Sequence, residues 1–169
     1  MKVVEQSVEL WDMSPNPLQL IERAGRVCYK SEDAITADSA AEFVRKILSR
    51  GHEAVLEHAS VTAHFVCDRG VSHEYVRHRI AAYCQESTRY CNYGKSAQGI
   101  SVIEPPGLTA LQREYWLRSV LQAEDSYLGL LAEGCPPQIA RSVLPTCLKT
   151  ELVATHNLRE WRHVIRLRT

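Results

Sequence analysis

The chain carries no net charge: 20 Lys and Arg balance 20 Asp and Glu over 169 residues. The molecule as a whole therefore exerts no pull on nucleic acid, and any anion site has to be a local gathering of cations. It lacks an apolar run long enough to span a bilayer, so no membrane partner is expected. The opening MKVVEQSVELWDM lacks the basic-then-apolar pattern of a secretory signal. Six cysteines are scattered with no C-x-x-C pair, as expected of reduced, half-buried thiols in a cytoplasmic chain. Internal repeats and low-complexity segments are also missing. What remains is an ordinary globular composition, 45% hydrophobic and 24% charged, at a length that suits one domain over residues 1–169.

Periodicity and caps outline the elements. KVVEQSVEL alternates as a first strand. In SPNPLQLIERAGRVCYK, Asn16 is placed as N-cap and Pro17 at the first helical position, with Leu18, Ile21 and Val27 at apolar spacing. SAAEFVRKILSRG opens on a capping-box pair, Ser39 with Glu42, and closes on Gly51. ASVTAHFVCD alternates as a strand with Asp68-Arg69-Gly70 as its turn, and SHEYVRHRI follows as a short helix. CQESTRYCNYG reads as loop running into strand, and ISVIEPPG ends on a proline break. The longest helix, TALQREYWLRSVLQAEDSYLGLLAEG, is capped by Thr109 with Gln112 and stopped by Gly134. PPQIARSVLP is a short helix between prolines, and TCLKTELVAT is strand-like. NLREWRHVIRLRT starts a helix with Asn157 as cap, Glu160 at the third position, and Leu158, Trp161, Val164 and Ile165 as its packing face. Helices and strands mix without regular alternation, which predicts an α+β fold. The last helix stops at Thr169 without glycine, proline or polar tail, and so short a helix is marginal in water. The expectation is a truncated chain, or a helix leaning on a neighbouring subunit.

Two chemistries fail on spacing. SHEYVRHR nearly spells the H-E-x-x-H zinc helix, but His73 and His78 are five apart and turn away from a common face. Cys84 and Cys91 lack finger or ribbon spacing, so no metal is expected. Cys84 stands near arginines that could depress its pKa, yet nothing after it resembles a base with its orienting partner. A small half-buried thiol is the simpler reading.

The cations are harder to dismiss. Arg77, Arg79 and Arg89 sit among Ile80, Ala81, Ala82, Tyr83 and Tyr90, poor company for a solvated charge run. Guanidinium binds phosphate bidentately, and Ser87 and Thr88 add hydroxyl donors. Arg141 lies on an otherwise apolar helix; Arg159, Arg162 with His163, and Arg166 share one stripe of the final helix. A solvent face near a helix C-terminus accounts for Arg162 and Arg166, but poorly for Arg141. On the residues alone, an anion site and a basic surface loop both stand. GHEAVLEH, Gly51 to His58, fits capping and salt-bridge chemistry as well as a site.

At these residues the chain resembles the flavin-dependent thymidylate synthases, whose signature is R-H-R, seven residues, then S. Here that is Arg77-His78-Arg79, IAAYCQE, Ser87. The G-H-E-x-x-x-E-H segment, ARSVLP and N-L-R with its basic helix follow in the family's order. The resemblance implies an α+β subunit with an antiparallel sheet flanked by helices, assembling as a homotetramer with active sites between chains. It also implies reductive methylation of dUMP to dTMP, with methylenetetrahydrofolate as carbon donor and FAD, reduced by NADPH, as hydride source. Carried over by position, Arg77, His78 and Arg79 contact FAD, joined by His52, the backbone at Ala54, Gln85, Asn157, Leu158, Arg159 and His163. Glu74, Arg77, Gln85, Ser87, Thr88, Arg89 and Arg141 hold dUMP, and Arg168 is the catalytic cation at the uracil. Glu74 and Gln85 exchange the family's usual Gln and Glu, and Ala54 replaces a frequent hydroxyl residue. The competing expectation is a nucleotide- or nucleic-acid-binding module without redox activity.

Overall fold

The computed structural model describes residues 1–95 and 99–169. In chain order the elements are β1 (Lys2–Val4), β2 (Ser7–Met13), α1 (Pro17–Val27), α2 (Ser39–Ser49), β3 (Ser60–Asp68) and α3 (Arg69–Tyr75). There follow β4 (Ala81–Gln85), β5 (Ser101–Ile103), α4 (Ala110–Ala132), α5 (Pro137–Ala140), β6 (Lys149–Asn157) and α6 (Leu158–Arg168). Four strands form a sheet in the order β2-β3-β6-β4. Along β3 and β6 the chains run in opposite directions: Leu158 N–H donates to Ala59 O at 2.9 Å at one end, and Arg69 N–H to Leu148 O at 3.1 Å at the other. The expected α+β architecture with an antiparallel sheet is therefore present. A second, two-stranded sheet pairs β1 with β5 in parallel, Lys2 opposite Ser101 and Val4 opposite Ile103. KVVEQSVEL is thus two strands, divided at Glu5-Gln6 because each half pairs with a different neighbour.

The chain folds into two compact units. The first comprises Met1–Val8, Phe65–Arg77 and Cys84–Leu152; the second comprises Glu9–His64, His78–Tyr83 and Val153–Thr169. The first is built on Ile100, Val102, Val120, Tyr127, Ala140 and Leu148. The second is built on Ile21, Val44, Leu56 and Ala59, with Leu158 packed against them. Each fully buried Val, Leu or Ile side chain among these contributes about 1.5–3 kcal/mol. Within the second unit α1 and α2 approach closely at Gly25, where an added Cβ would stand 2.7 Å from the Phe43 ring.

Local chemistry explains where the elements begin and end. Thr109 and Gln112 form the expected reciprocal cap of α4. The Ser39–Glu42 cap does not form. Ser39 is already inside α2, and its hydroxyl donates to the buried Glu22 carboxylate at 2.8 Å. Asp68 is no turn residue: its Oδ1 accepts Val71 N–H at 2.7 Å and caps α3. That helix starts at Arg69 and ends at Tyr75, so Arg77, His78 and Arg79 lie in the connection to β4 instead of on a helix. The segment after it is strand followed by turn, the reverse of the expected order. On α6, Val164 is buried and the Trp161 indole donates to Val61 O at 3.0 Å, but Ile165 faces solvent.

Candidate functional site

In the first unit the polar groups gather at the end of β4 and the turn after it. The Gln85 amide donates to Ser72 Oγ at 2.8 Å and to Thr150 Oγ1 at 3.2 Å, two fully buried hydroxyls that pin it. In the turn, Ser87 O accepts the N–H groups of Tyr90 and Cys91, and Ser87 Oγ accepts Arg89 N–H at 3.3 Å. Thr88 is only 5% exposed, and its Oγ1 accepts Arg141 Nη1 at 3.0 Å. Arg141 Nε also donates to Gln138 O at 3.2 Å. Neutral oxygens thus hold Arg141, and among the described residues no carboxylate pairs with it. The Arg89 guanidinium lies 5.7 Å from the Tyr90 ring centroid, and among the described residues no carboxylate pairs with it. Glu74 is exposed on α3, and the exposed Arg77 follows, its N–H bonded to Glu74 O at 3.2 Å.

Lys149 in the same unit is the opposite case. It sits between Glu86 at 3.0 Å and Glu151 at 2.6 Å. Burial alone would lower its pKa, but the two carboxylates overcome this and hold it above the ordinary lysine value. Tyr93 donates to Glu86 at 2.7 Å, and burial, then that carboxylate, push its phenol far above its usual value. The unit therefore separates a satisfied cation from two open ones, and the open ones suit a phosphate.

In the second unit His78 is the buried member, 6% exposed. Its Nδ1 stands 3.2 Å from Glu160 Oε1, Arg168 Nε donates to its Nε2 at 3.4 Å, and Tyr83 Oη donates to its carbonyl at 2.7 Å. Burial, then the nearby Glu160, raises the Tyr83 phenol to about 12. His163 meets the His78 ring edge-on at 5.7 Å. A cleft of about 440 Å³ opens here, lined by Asn157, Arg159, Arg162, His163 and Arg166 among others. Arg159 pairs with Glu57, and Arg162 with Glu53 at 3.1 Å, so this cleft is nearly neutral despite its arginines. A second cleft of about 390 Å³ shares Glu53 and Arg159 and is lined further by Tyr29, His52 and Ala54. His52 Nδ1 lies 3.3 Å from Tyr29 Oη. Asn157 caps α6 by accepting Glu160 N–H at 2.9 Å. Leu158 packs on the apolar core, and Arg79 is exposed.

His78, Glu160 and His163 also bring three possible metal-ligand atoms within 4.8 Å of one another. Both His78 nitrogens already have partners, Glu160 at Nδ1 and Arg168 at Nε2, and His163 adds only a ring-edge contact. Sequence reasoning placed Glu160 only as a helix-start residue and passed over Glu86, Lys149 and Tyr93. The available signal was a carboxylate in the first turn of an otherwise basic helix.

The thymidylate synthase complementing protein family matches residues 9–169. The chain is 36% identical to the flavin-dependent thymidylate synthase of Geobacter sulfurreducens, over 95% of this chain and 72% of that protein. It is 32% identical to the enzyme of the same description from Pyrococcus abyssi, over 95% of this chain and 70% of that protein. Among solved structures it is similar to the UMP/dUMP methylase PolB of Streptomyces cacaoi bound with 5-Br dUMP. The TM-score is 0.83 and the identity 27%, covering all of this chain and 80% of that one. A match over nearly the whole chain, joined to the spaced R-H-R and serine that it contains, makes this protein an enzyme of the flavin-dependent thymidylate synthase family.

Proposed function

We propose that the chain methylates dUMP to dTMP, taking the methylene from methylenetetrahydrofolate and the hydride from FAD reduced by NADPH. In balance, dUMP, methylenetetrahydrofolate, NADPH and one proton become dTMP, tetrahydrofolate and NADP⁺. The observation that carries this reading is the Thr88–Arg141 pair, a guanidinium oriented by a buried hydroxyl and paired with no carboxylate among the described residues. With Arg89, Ser87 and Arg77 it suits a nucleotide phosphate, while Gln85 and Glu74 supply polar contacts to the rest of dUMP. Arg168 acts at the uracil, where a fixed cation favours ionisation at N3 and raises electron density at C5, the carbon that attacks the methylene. Such a cation at developing negative charge contributes several kcal/mol.

FAD, when bound, would supply the hydride chemistry, and the chain supplies position and charge. The residues of the second unit fit such a group. The two linked clefts offer an amide at Asn157, guanidinium at Arg159, imidazole at His52 and His163, and the exposed residue Ala54. Exposed ion pairs such as Arg159–Glu57 are worth little and exchange readily for a ligand. Arg77, His78, Arg79, Gln85 and Leu158 complete the proposed flavin contacts.

The proposal includes a single-domain subunit working in the cytoplasm as a homotetramer with shared active sites. Leu10, Trp11 and Met13 on β2 are each more than half exposed, an apolar edge of the kind that another subunit covers. The test is dTMP formation from dUMP, methylenetetrahydrofolate and NADPH, with and without added FAD. FAD-dependent product supports the reading. No product, no flavin uptake and salt-sensitive binding to nucleic acid would favour the binding-module alternative.

A further inference from the structure

We infer that Glu160 is a positioning residue for Arg168, acting through His78. The inference rests on the role given above to Arg168 at the uracil.

Three observations lead to it. A guanidinium is donor-only, so an Arg168 Nε–H directed at His78 Nε2 requires a bare lone pair on that nitrogen. The imidazole proton must then sit on Nδ1, the atom that faces Glu160 Oε1 at 3.2 Å. An ionised carboxylate only accepts, so Glu160 demands the same tautomer independently. The two neighbours agree, and a protonated His78 would set a donor against Arg168.

Burial makes the agreement matter. His78 and Glu160 are 6% and 8% exposed, so a mispaired nitrogen would find no water to replace its partner. Tyr83 Oη holds the backbone of His78 by donating to its carbonyl at 2.7 Å. Glu160 is committed to this task in a telling way. At the third position of a helix, a glutamate side chain commonly turns back to the cap residue's N–H, but here it extends to His78 while its own N–H is held by Asn157. A carboxylate on one imidazole nitrogen strengthens the other as an acceptor, so Glu160 tightens the hold on Arg168 without touching substrate. Among the described residues, the titratable or charged groups around His78 include Glu160, His163 and Arg168 from α6, His156 from β6 and Tyr83 from β4.

The test pairs kinetics with spectroscopy. Glu160→Gln preserves shape and removes the charge. It should lower kcat about 10–100-fold, the range seen when an outer partner of a functional histidine is lost, while FAD uptake and dUMP affinity stay within about twofold. Added to Arg168→Ala, it should cost nothing more, because its whole effect passes through that arginine. An unchanged kcat, or losses that multiply in the double variant, would overturn the inference. Independently of turnover, ¹⁵N-histidine NMR of the unaltered protein at pH 7.5 should show His78 neutral and protonated on Nδ1. A proton on Nε2, or on both nitrogens, would overturn it even if Glu160→Gln failed to fold. If the unaltered protein makes no dTMP, the functional reading fails, and the NMR result still decides the His78 geometry.

Discussion

The arginines gathered at the two candidate regions are held differently. In the first, Arg141 and Arg89 are held by a threonine hydroxyl, a main-chain carbonyl and a tyrosine face, all neutral. In the second, Arg159 and Arg162 are matched by Glu57 and Glu53, and Arg168 donates to His78 Nε2. An uncompensated guanidinium is poised for a compact dianion, whereas a balanced, roomy cleft suits a large ligand held by many modest contacts. The difference supports the proposal that the first group takes the phosphate of the nucleotide and the second the flavin.

The largest expected effect comes from Arg168, the arginine proposed to act at the uracil. Arg168→Ala should cut kcat at least about 100-fold with FAD uptake retained, the scale of losing one fixed donor at a developing charge. Steady-state dTMP formation beside a flavin titration checks it; equal loss of both would dissolve the distinction. Next, Arg141→Ala should weaken dUMP about 10–100-fold, since hydrogen bonds to charged groups contribute about 1.5–3 kcal/mol. Thr88→Val should do the same to a lesser degree by releasing the guanidinium, as isothermal titration with dUMP would show. In the second unit, Asn157→Ala removes the cap of α6 and should cost about 1 kcal/mol in denaturant unfolding.

The smallest effect concerns pH. Burial holds the His156 pKa below its ordinary value of about 6.5, so the folded state favours the neutral ring. The unfolded chain then binds the extra proton first, and this contribution to stability is lost as pH falls below about 6.5. His156→Phe, which keeps the ring contacts to Tyr83 and Trp161, should flatten the fall in Tm between pH 7 and 5.5. An unchanged slope would place the titration elsewhere.

How much of this was legible in the sequence depended on range. Caps that act within four residues, such as Thr109 with Gln112 and Asn157 with Glu160, could be read directly. Ser39 looked like such a cap, but a carboxylate 17 residues earlier captured its hydroxyl. The arginines were visible as a group because their neighbours are apolar. Their partners were not, since Thr88 meets Arg141 across 53 residues and Glu160 meets His78 across 82. The same limit hid the parallel pairing of β1 with β5, which joins residues about a hundred apart.

The division of labour is tested most directly by titrating FAD and dUMP separately into two variants, Arg141→Ala and His163→Ala. Each variant should lose affinity at least about tenfold for one ligand, dUMP for the first and FAD for the second, and keep the other within about twofold. Both ligands weakening together in both variants would contradict it, leaving a single undivided site.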